Sequence, residues 1–311
     1  MNLALVTICT NRKRTSPLPQ MCATNLPKGD QDSLLHSWKT RVQESTNKIP
    51  AKDLYSGRGF SEIRKITQST QIDLWIISAG LGLISGEKDS ISYNLTISPS
   101  SIDSIQNKLS PNSTFCPKQW WHGLNQELYG TSRPINELIK NNRDTIFVIS
   151  LSQAYVKLIY SDLFSLEKND RSRVRLLGLN TPKQLPVKFR DLWMPYDDRF
   201  DGPDSPIPGT RSDFPQRITR HFIENIFREN ITAGPKEQAK RVSEFLETMR
   251  PLVKIKRPSI TDDQIKEIII ARWDEAKGSG TRMLRILRDK ELVACEQGRF
   301  ATLFRQIKSR I

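Results

Sequence analysis

The sequence predicts an α/β fold: a three-layer sandwich with a mostly parallel central sheet, followed by a helical, helix-turn-helix-like C-terminal domain. Three observations predict it. Short apolar runs rich in β-branched residues recur at 3–10, 74–78, 145–151 and 174–179, the mark of strands buried on both faces. Segments of helical period separate them, and that alternation builds parallel βαβ units. The last third is basic and helical in pattern, with a Gly turn ahead of an Arg-rich helix.

Taken in order, residues 3–10 are the first strand, a polar loop fills 11–32, and 34–45 has helical spacing. Residues 51–69 form a second helical segment around Tyr55-Ser-Gly-Arg-Gly. The second strand, 74–78, runs directly into Ala79-Gly-Leu-Gly. A helix over 120–141 is interrupted near Pro134, and the third strand follows at 145–151. Over 154–166 the residues Tyr155, Leu158, Ile159, Leu163 and Leu166 share one side. The fourth strand is 174–179. Ligands of open parallel sheets bind beyond the carboxyl ends of the strands. Thr10–Arg12, Ser78–Gly82 and Ser150–Gln153 are therefore expected around one rim.

Residues 180–215 hold seven prolines together with Phe189, Trp193, Tyr196, Phe200 and Phe214. So many aromatics argue for an ordered connector packed on the α/β domain, not a flexible linker. The expected layout is an α/β domain over 1–179, the connector over 180–215, and a basic helical DNA-binding domain over 216–311. In the last of these, Thr261 with Asp262 and Asp263 caps a helix that runs to about 276. Lys277-Gly-Ser-Gly breaks it and Thr281 caps the next. That helix turns Met283, Leu284, Ile286 and Leu287 inward and Arg282, Arg285 and Arg288 outward, and a final helix spans 297–307. Such an order fits a helix-turn-helix reader of DNA. A helical cap with a solvated basic face has the same pattern.

Charge agrees with a polyanionic partner. The 311 residues hold 48 Lys and Arg against 34 Asp and Glu, a net charge of +14, and basic surfaces gain affinity for phosphates by releasing counterions. Residues 216–311 alone carry 21 basic against 13 acidic side chains. The four cysteines, Cys9, Cys22, Cys116 and Cys295, form no CxxC pair and lie far in sequence from the three histidines. Neither a metal site nor a cofactor is expected, and scattered cysteines suit a reducing cytoplasm. No apolar run is long enough to span a bilayer, and the first residues read as a strand, not a secretory h-region.

Several rim motifs have the chemistry to hold a nucleotide. Thr10 and Asn11 at the first strand end can hold a water or a base edge, and Arg12 and Lys13 beside them can take phosphate. The same run is also what a solvated loop looks like. Arg58, between Gly57 and Gly59, can clamp phosphate where backbone amides approach closely, although this is no Walker motif. Ser78, Gly80 and Gly82 end a strand and leave room. Tyr93 and Asn94 then supply an aromatic face and an amide, the equipment for stacking a base and reading its edge. They also serve to close a turn. Asp198 in the connector is a carboxylate able to activate water, and surface ion pairing is its ordinary alternative.

The order of these motifs resembles a bacterial family related to the YaaA peroxide-stress proteins, and is similar to the second domain of archaeosine synthase. The elements are a strand ending in a polar loop with Lys13, the Tyr55–Gly59 segment, the strand ending Ser78-Ala-Gly-Leu-Gly-Leu-Ile, and Tyr93. That second domain of archaeosine synthase belongs to the uracil-DNA glycosylase-like fold group. The resemblance covers roughly 3–100 directly. It implies strand-end loops around a nucleobase, with the water-activating residue at Thr10–Asn11. The Asp-Pro-Tyr and His-Pro-Ser of the best-known glycosylases are absent, as are the Pro-Cys-Ser and Lys-Pro-Tyr of archaeosine synthase. Neither uracil excision nor lysine transfer to a deazaguanine is therefore expected. An Asn at the activating position suits glycosylases that orient water with an amide. The resemblance extends to bacterial anti-phage glycosylases that remove glucosylated hydroxymethylcytosine. The expected function is thus excision of a modified base from double-stranded phage DNA by base flipping. A non-catalytic stress-related DNA binder and a base-modifying transferase acting on RNA are the alternatives.

Overall fold

The computed structural model describes residues 2–309 apart from 47, 70, 180, 254 and 255 and the side chain of Gln184. It divides into two compact units, Met1–Leu252 and Val253–Ile311. In chain order the first holds β1 (Asn2–Ile8), α1 (Gln31–Glu44), β2 (Lys48–Pro50), α2 (Ala51–Leu54), α3 (Arg58–Ser69), β3 (Asp73–Ser78), β4 (Gly82–Ser85) and β5 (Asp89–Ile91). Then come α4 (Pro117–Tyr129), α5 (Pro134–Asn141), β6 (Thr145–Ser150), α6 (Gln153–Phe164), α7 (Lys168–Arg171), β7 (Val174–Leu177), α8 (Phe214–His221) and α9 (Pro235–Glu247). The second unit holds α10 (Asp262–Ala271), α11 (Trp273–Ala276), α12 (Gly280–Asp289) and α13 (Gln297–Lys308).

The central sheet has the order β4-β3-β1-β6-β7. Its β1, β3, β6 and β7 run parallel, and β4 turns back antiparallel on β3. All four predicted strands are present. Each is apolar through most of its length because helices pack against the sheet, so alternation with polar residues is not needed. Thr145–Ser150 is buried at every position. A separate two-stranded ladder joins β2 to β5. The helix expected over 51–69 is broken at Tyr55–Gly57, and that over 120–141 breaks at Gly130, whose φ of 76° closes the carboxyl end of α4.

The connector is ordered as its aromatics require. Phe189, Tyr196, Phe200 and Phe214 are buried in the same core as the sheet, and Trp193 packs half-buried against it. The domain boundary, however, falls at 252/253 and not at 215/216. Buried polar groups explain why. The Ser150 hydroxyl on β6 donates to the Pro215 carbonyl at 3.1 Å. Arg175 on β7 is 2% exposed, and its guanidinium donates to Gln238 of α9 and to the Ala233 carbonyl. A buried guanidinium deprived of these acceptors would be strongly destabilising, so residues 214–252 are built into the first unit.

His221 closes this region. Its Nδ1 lies 2.7 Å from the Tyr196 hydroxyl, and its ring sits 4.1 Å, centroid to centroid, from Phe245. Burial lowers its pKa to about 4. As pH falls, the unfolded chain takes up that proton first, so native stability is lost between about pH 6.5 and 4. Asp162 works in the opposite sense. Burial raises it to about 6 although Trp121 Nε1 donates to it, so its contribution is present at low pH and lost as pH rises through 6. Replacing His221 with Gln removes the first effect alone. Relative to the parent chain, the stability of His221→Gln from urea unfolding is expected to rise by about 3 kcal/mol between pH 7 and pH 4. A constant offset across that range would show that the fold does not hold His221 neutral.

Candidate active site at the carboxyl rim of the sheet

The path of the chain creates a crevice. From β1 it crosses to β3 on one side, and the next parallel strand, β6, lies on the other side of β1. The carboxyl ends of β1 and β6 are therefore a topological switch point, where open α/β sheets bind ligands. A hydrogen-bonding pair spans it: Cys9 Sγ, one residue beyond β1, lies 3.1 Å from the hydroxyl of Tyr155 in the first turn of α6.

Five loop segments meet at this rim, and three glycines allow them to approach. The Thr10 hydroxyl lies 3.0 Å from the carbonyls of both Arg12 and Ser56, and Ser56 N donates to the Arg12 carbonyl. Gly57, at φ 90°, would place a Cβ 3.3 Å from the Arg12 side chain. Gly59 faces Gln216 of α8 at 3.1 Å. Gly178, at φ 88°, leaves no space for a Cβ because the Leu151 carbonyl occupies it, with Pro215 at 3.1 Å. The loops after β1, β6 and β7 thus lie against the starts of α3 and α8. Both α6 and α8 begin without a side-chain cap, so their first-turn amides remain partial positive charges.

At this rim the side chains of Asn11 and Arg12 make no hydrogen bond or ion pair among the described residues. Asn11 is exposed. Arg58 is 62% exposed and its Nε forms a long ion pair, 3.7 Å, with the Asp213 carboxylate, and Arg12 is exposed. Gln216 is 2% exposed, and its Oε1 is buried without a hydrogen-bond partner. An unsatisfied buried acceptor is costly. A ligand donor reaching it would recover that energy.

Beneath the loop lies a chain of buried hydroxyls. Ser78 Oγ is 2.6 Å from the Tyr93 hydroxyl, which is 3.1 Å from that of Tyr55. Burial pushes the phenols of Tyr55, Tyr93 and Tyr155 upward, so they remain neutral donors. Lys13 lies over this pair, its Nζ 4.2 Å from the Tyr93 ring centroid and 5.8 Å from that of Tyr55. Burial lowers its pKa, while Cys9, Asp103 and Cys22 pull the other way.

The expected base pocket at Ser78, Gly80 and Gly82 is corrected by this packing. A Cβ on Gly80 would lie 2.7 Å from the Tyr93 ring and 3.2 Å from Trp38, and the space beside Gly82 is filled by Asn125. The turn is instead clamped. Trp120 donates to the Ala79 carbonyl at 2.7 Å, Trp38 to Gly80 at 2.6 Å, and Tyr129 to Leu81 at 2.6 Å. Ser78 Oγ accepts from the amides of Gly80 and Leu81. Ser78 and Tyr93 are wholly buried, so neither presents a face to a base. Asn94 is held by backbone bonds to Met21 and Ala23. Thr10 braces its loop, and Lys13 is half-buried with its amine over the phenol rings. Asp198 is exposed on a short 3-10 helix, while its neighbours Asp201 and Asp213 bind Arg217.

In the helical unit, Ser279, not Thr281, caps α12 by accepting from the Arg282 amide. Thr261 forms a full capping box with Gln264 at α10. Arg282 and Arg285 are exposed, with no ion pair among the described residues. Arg288 is a correction: it is half-buried and donates to the Cys295 carbonyl at 2.8 Å, holding the loop before α13. Residues 253–311 hold 14 basic against 8 acidic side chains.

Among the described residues there is no group of three or more His, Cys, Asp or Glu able to hold a metal ion, and no helix long and apolar enough to cross a membrane. Comparison with family models, curated proteins and solved structures finds no match to this chain.

The filled hairpin gives a direct check. Gly80→Ala is expected to destabilise the protein by about 1–3 kcal/mol, because Tyr93 and Trp38 must move. A urea midpoint unchanged from the parent would mean that the space beside Gly80 is open after all.

Proposed function

We propose that the protein is a DNA glycosylase that receives an extruded nucleotide at the β1/β6 rim and hydrolyses its N-glycosidic bond. One observation supports this above the others: a free amide at Asn11 stands at the switch point, among two exposed arginines, two uncapped helix starts and the unpaired acceptor of Gln216. In this reading Arg12 and Arg58 take the phosphates flanking the extruded nucleotide. The amides at the starts of α6 and α8 add to that field. Gln216 Oε1 accepts a hydrogen bond from the base. Asn11 orients water toward C1′ as positive charge develops on the sugar, and the departing base carries away the glycosidic electron pair. The resemblance to the uracil-DNA glycosylase-like group, and within it to anti-phage enzymes acting on glucosylated hydroxymethylcytosine, supports a modified base in phage DNA. The filled space beside Gly80 and Gly82 withdraws the separate argument from glycines for a bulky base.

The helical unit supplies the hold on duplex backbone. The α10–α12 arrangement is read as helix-turn-helix-like, with Arg282 and Arg285 of α12 on phosphates.

Incubation with phage DNAs of different base modification, followed by strand cleavage at abasic sites, tests the activity. Release of a free base from one modified DNA is expected, and Asn11→Ala should slow it by roughly 100-fold or more while leaving DNA binding intact. Tight binding with no abasic product on any DNA would leave a non-catalytic binder. Unchanged release by Asn11→Ala would remove that residue from the chemistry. The double variant Arg282→Ala/Arg285→Ala should weaken binding across all sequences and flatten the log–log salt dependence by about 2 units of slope. An unaltered slope would place the DNA contact elsewhere.

A further inference from the structure

Lys13 has an environment that a phosphate-binding lysine does not need. Its amine makes no hydrogen bond or ion pair among the described residues, yet it is only partly exposed. It rests on the faces of Tyr93 and Tyr55, and those phenols are engaged with each other and with Ser78. An antiparallel backbone bridge to Tyr55 fixes its main chain. It follows Asn11 by two residues on the loop that leaves β1, so it borders the switch-point crevice. The charged and titratable groups facing it are Cys9, Cys22, Asp103 and the two tyrosines. None makes an ion pair with it, and the cation rests on aromatic faces alone.

We propose that Lys13 is a covalent nucleophile for the aldehyde of an abasic sugar, so that the crevice cleaves DNA strands as well as excising bases. An amine desolvated among aromatic rings is an arrangement that activates lysine for imine chemistry. Burial lowers the proton affinity of this amine. The step balances within the site. The amine lone pair adds to C1′ of the ring-opened sugar, and the carbinolamine expels water to leave a C=N bond. Loss of a C2′ proton to a base then pushes electrons toward the imine, and the 3′-phosphate leaves. Hydrolysis of the imine returns the free lysine and an unsaturated aldehyde. No oxidant or reductant takes part. The proposal rests on the reading of the crevice as a nucleotide site, but it does not depend on which base is excised.

The test therefore uses a duplex in which the abasic site is already present. Full-length protein is incubated with this duplex and sodium cyanoborohydride, which reduces an imine to a stable amine, and the adduct is mapped by peptide mass spectrometry. The expected result is a one-to-one adduct on Lys13 and strand cleavage when the reductant is omitted. Lys13→Arg keeps the cation over the rings and is expected to fold as the parent does, with adduct and cleavage lost at least 100-fold and duplex binding retained. Lys13→Met gives the same readout without the charge. No adduct with the parent protein, or an adduct that persists in both variants, overturns the proposal. Base release from modified DNA is measured separately on intact duplex. Absence of release there sinks the glycosylase reading, whereas absence of trapping on the abasic duplex sinks only the lysine chemistry.

Discussion

The turn between β3 and β4 is buried, and protein donors satisfy its backbone. Trp38 of α1 and Trp120 and Tyr129 of α4 donate to three successive carbonyls, while Ser78 Oγ accepts from two amides. A buried carbonyl left unpaired would cost about 1–3 kcal/mol, so each of these bonds fixes a side chain as well as the turn. The consequences run outward. Ser78 holds Tyr93, Tyr93 holds Tyr55, and Tyr55 pairs through its backbone with Lys13. The loop after β1, which carries Thr10, Asn11 and Arg12, is thereby set against α3. The rim is preorganised from below by an interior in which the polar groups of the turn are paired.

On this scaffold the free or weakly paired groups stand apart. Asn11, Arg12, the weakly paired Arg58 and the buried Gln216 lie on the loop and helix starts at the switch point made by the crossing of the chain from β1 to strands on either side. A site that leaves one buried acceptor unpaired and several cationic or amide groups free is suited to a ligand with donors and negative charge together. An extruded nucleotide has both. The preorganisation matters for chemistry because groups that need not reorganise stabilise developing charge more effectively.

Much of the fold was legible in the sequence. The four parallel strands stood out because strands covered on both faces read as continuous β-branched runs, and the connector's aromatics announced that it packs. The β4 strand did not stand out: Gly82-Leu-Ile-Ser is short and begins with glycine, so it reads as the tail of a turn. The domain boundary was misplaced because α8 and α9 have ordinary amphipathic patterns. Their ties to the sheet are contacts between residues distant in sequence: Ser150 of β6 bonds Pro215 of α8, and Arg175 of β7 bonds Gln238 of α9 and the Ala233 carbonyl. The rim itself was half legible. Loop positions after β1 and β6 follow from strand order, and Asn11, Arg12 and Arg58 follow from them. Glycine at 80 and 82 shows that a side chain is missing, but not that Tyr93, Trp38 and Asn125 fill the gap. Tyr155 was assigned to a helix face, yet its bond to Cys9 joins residues 146 apart. Gln216 gives no local signal, because its meaning lies in the absence of a partner in space.

In the proposed reading the crevice between β1 and β6, and not the glycine hairpin, receives the nucleotide. A crystal structure of the protein with a duplex carrying a tetrahydrofuran analogue of an abasic site tests it most directly. An extruded sugar is expected between Asn11 and Ser152–Gln153, with its flanking phosphates on Arg12 and Arg58. An undistorted duplex with nothing extruded, or a sugar bound at the turn between β3 and β4, would contradict it.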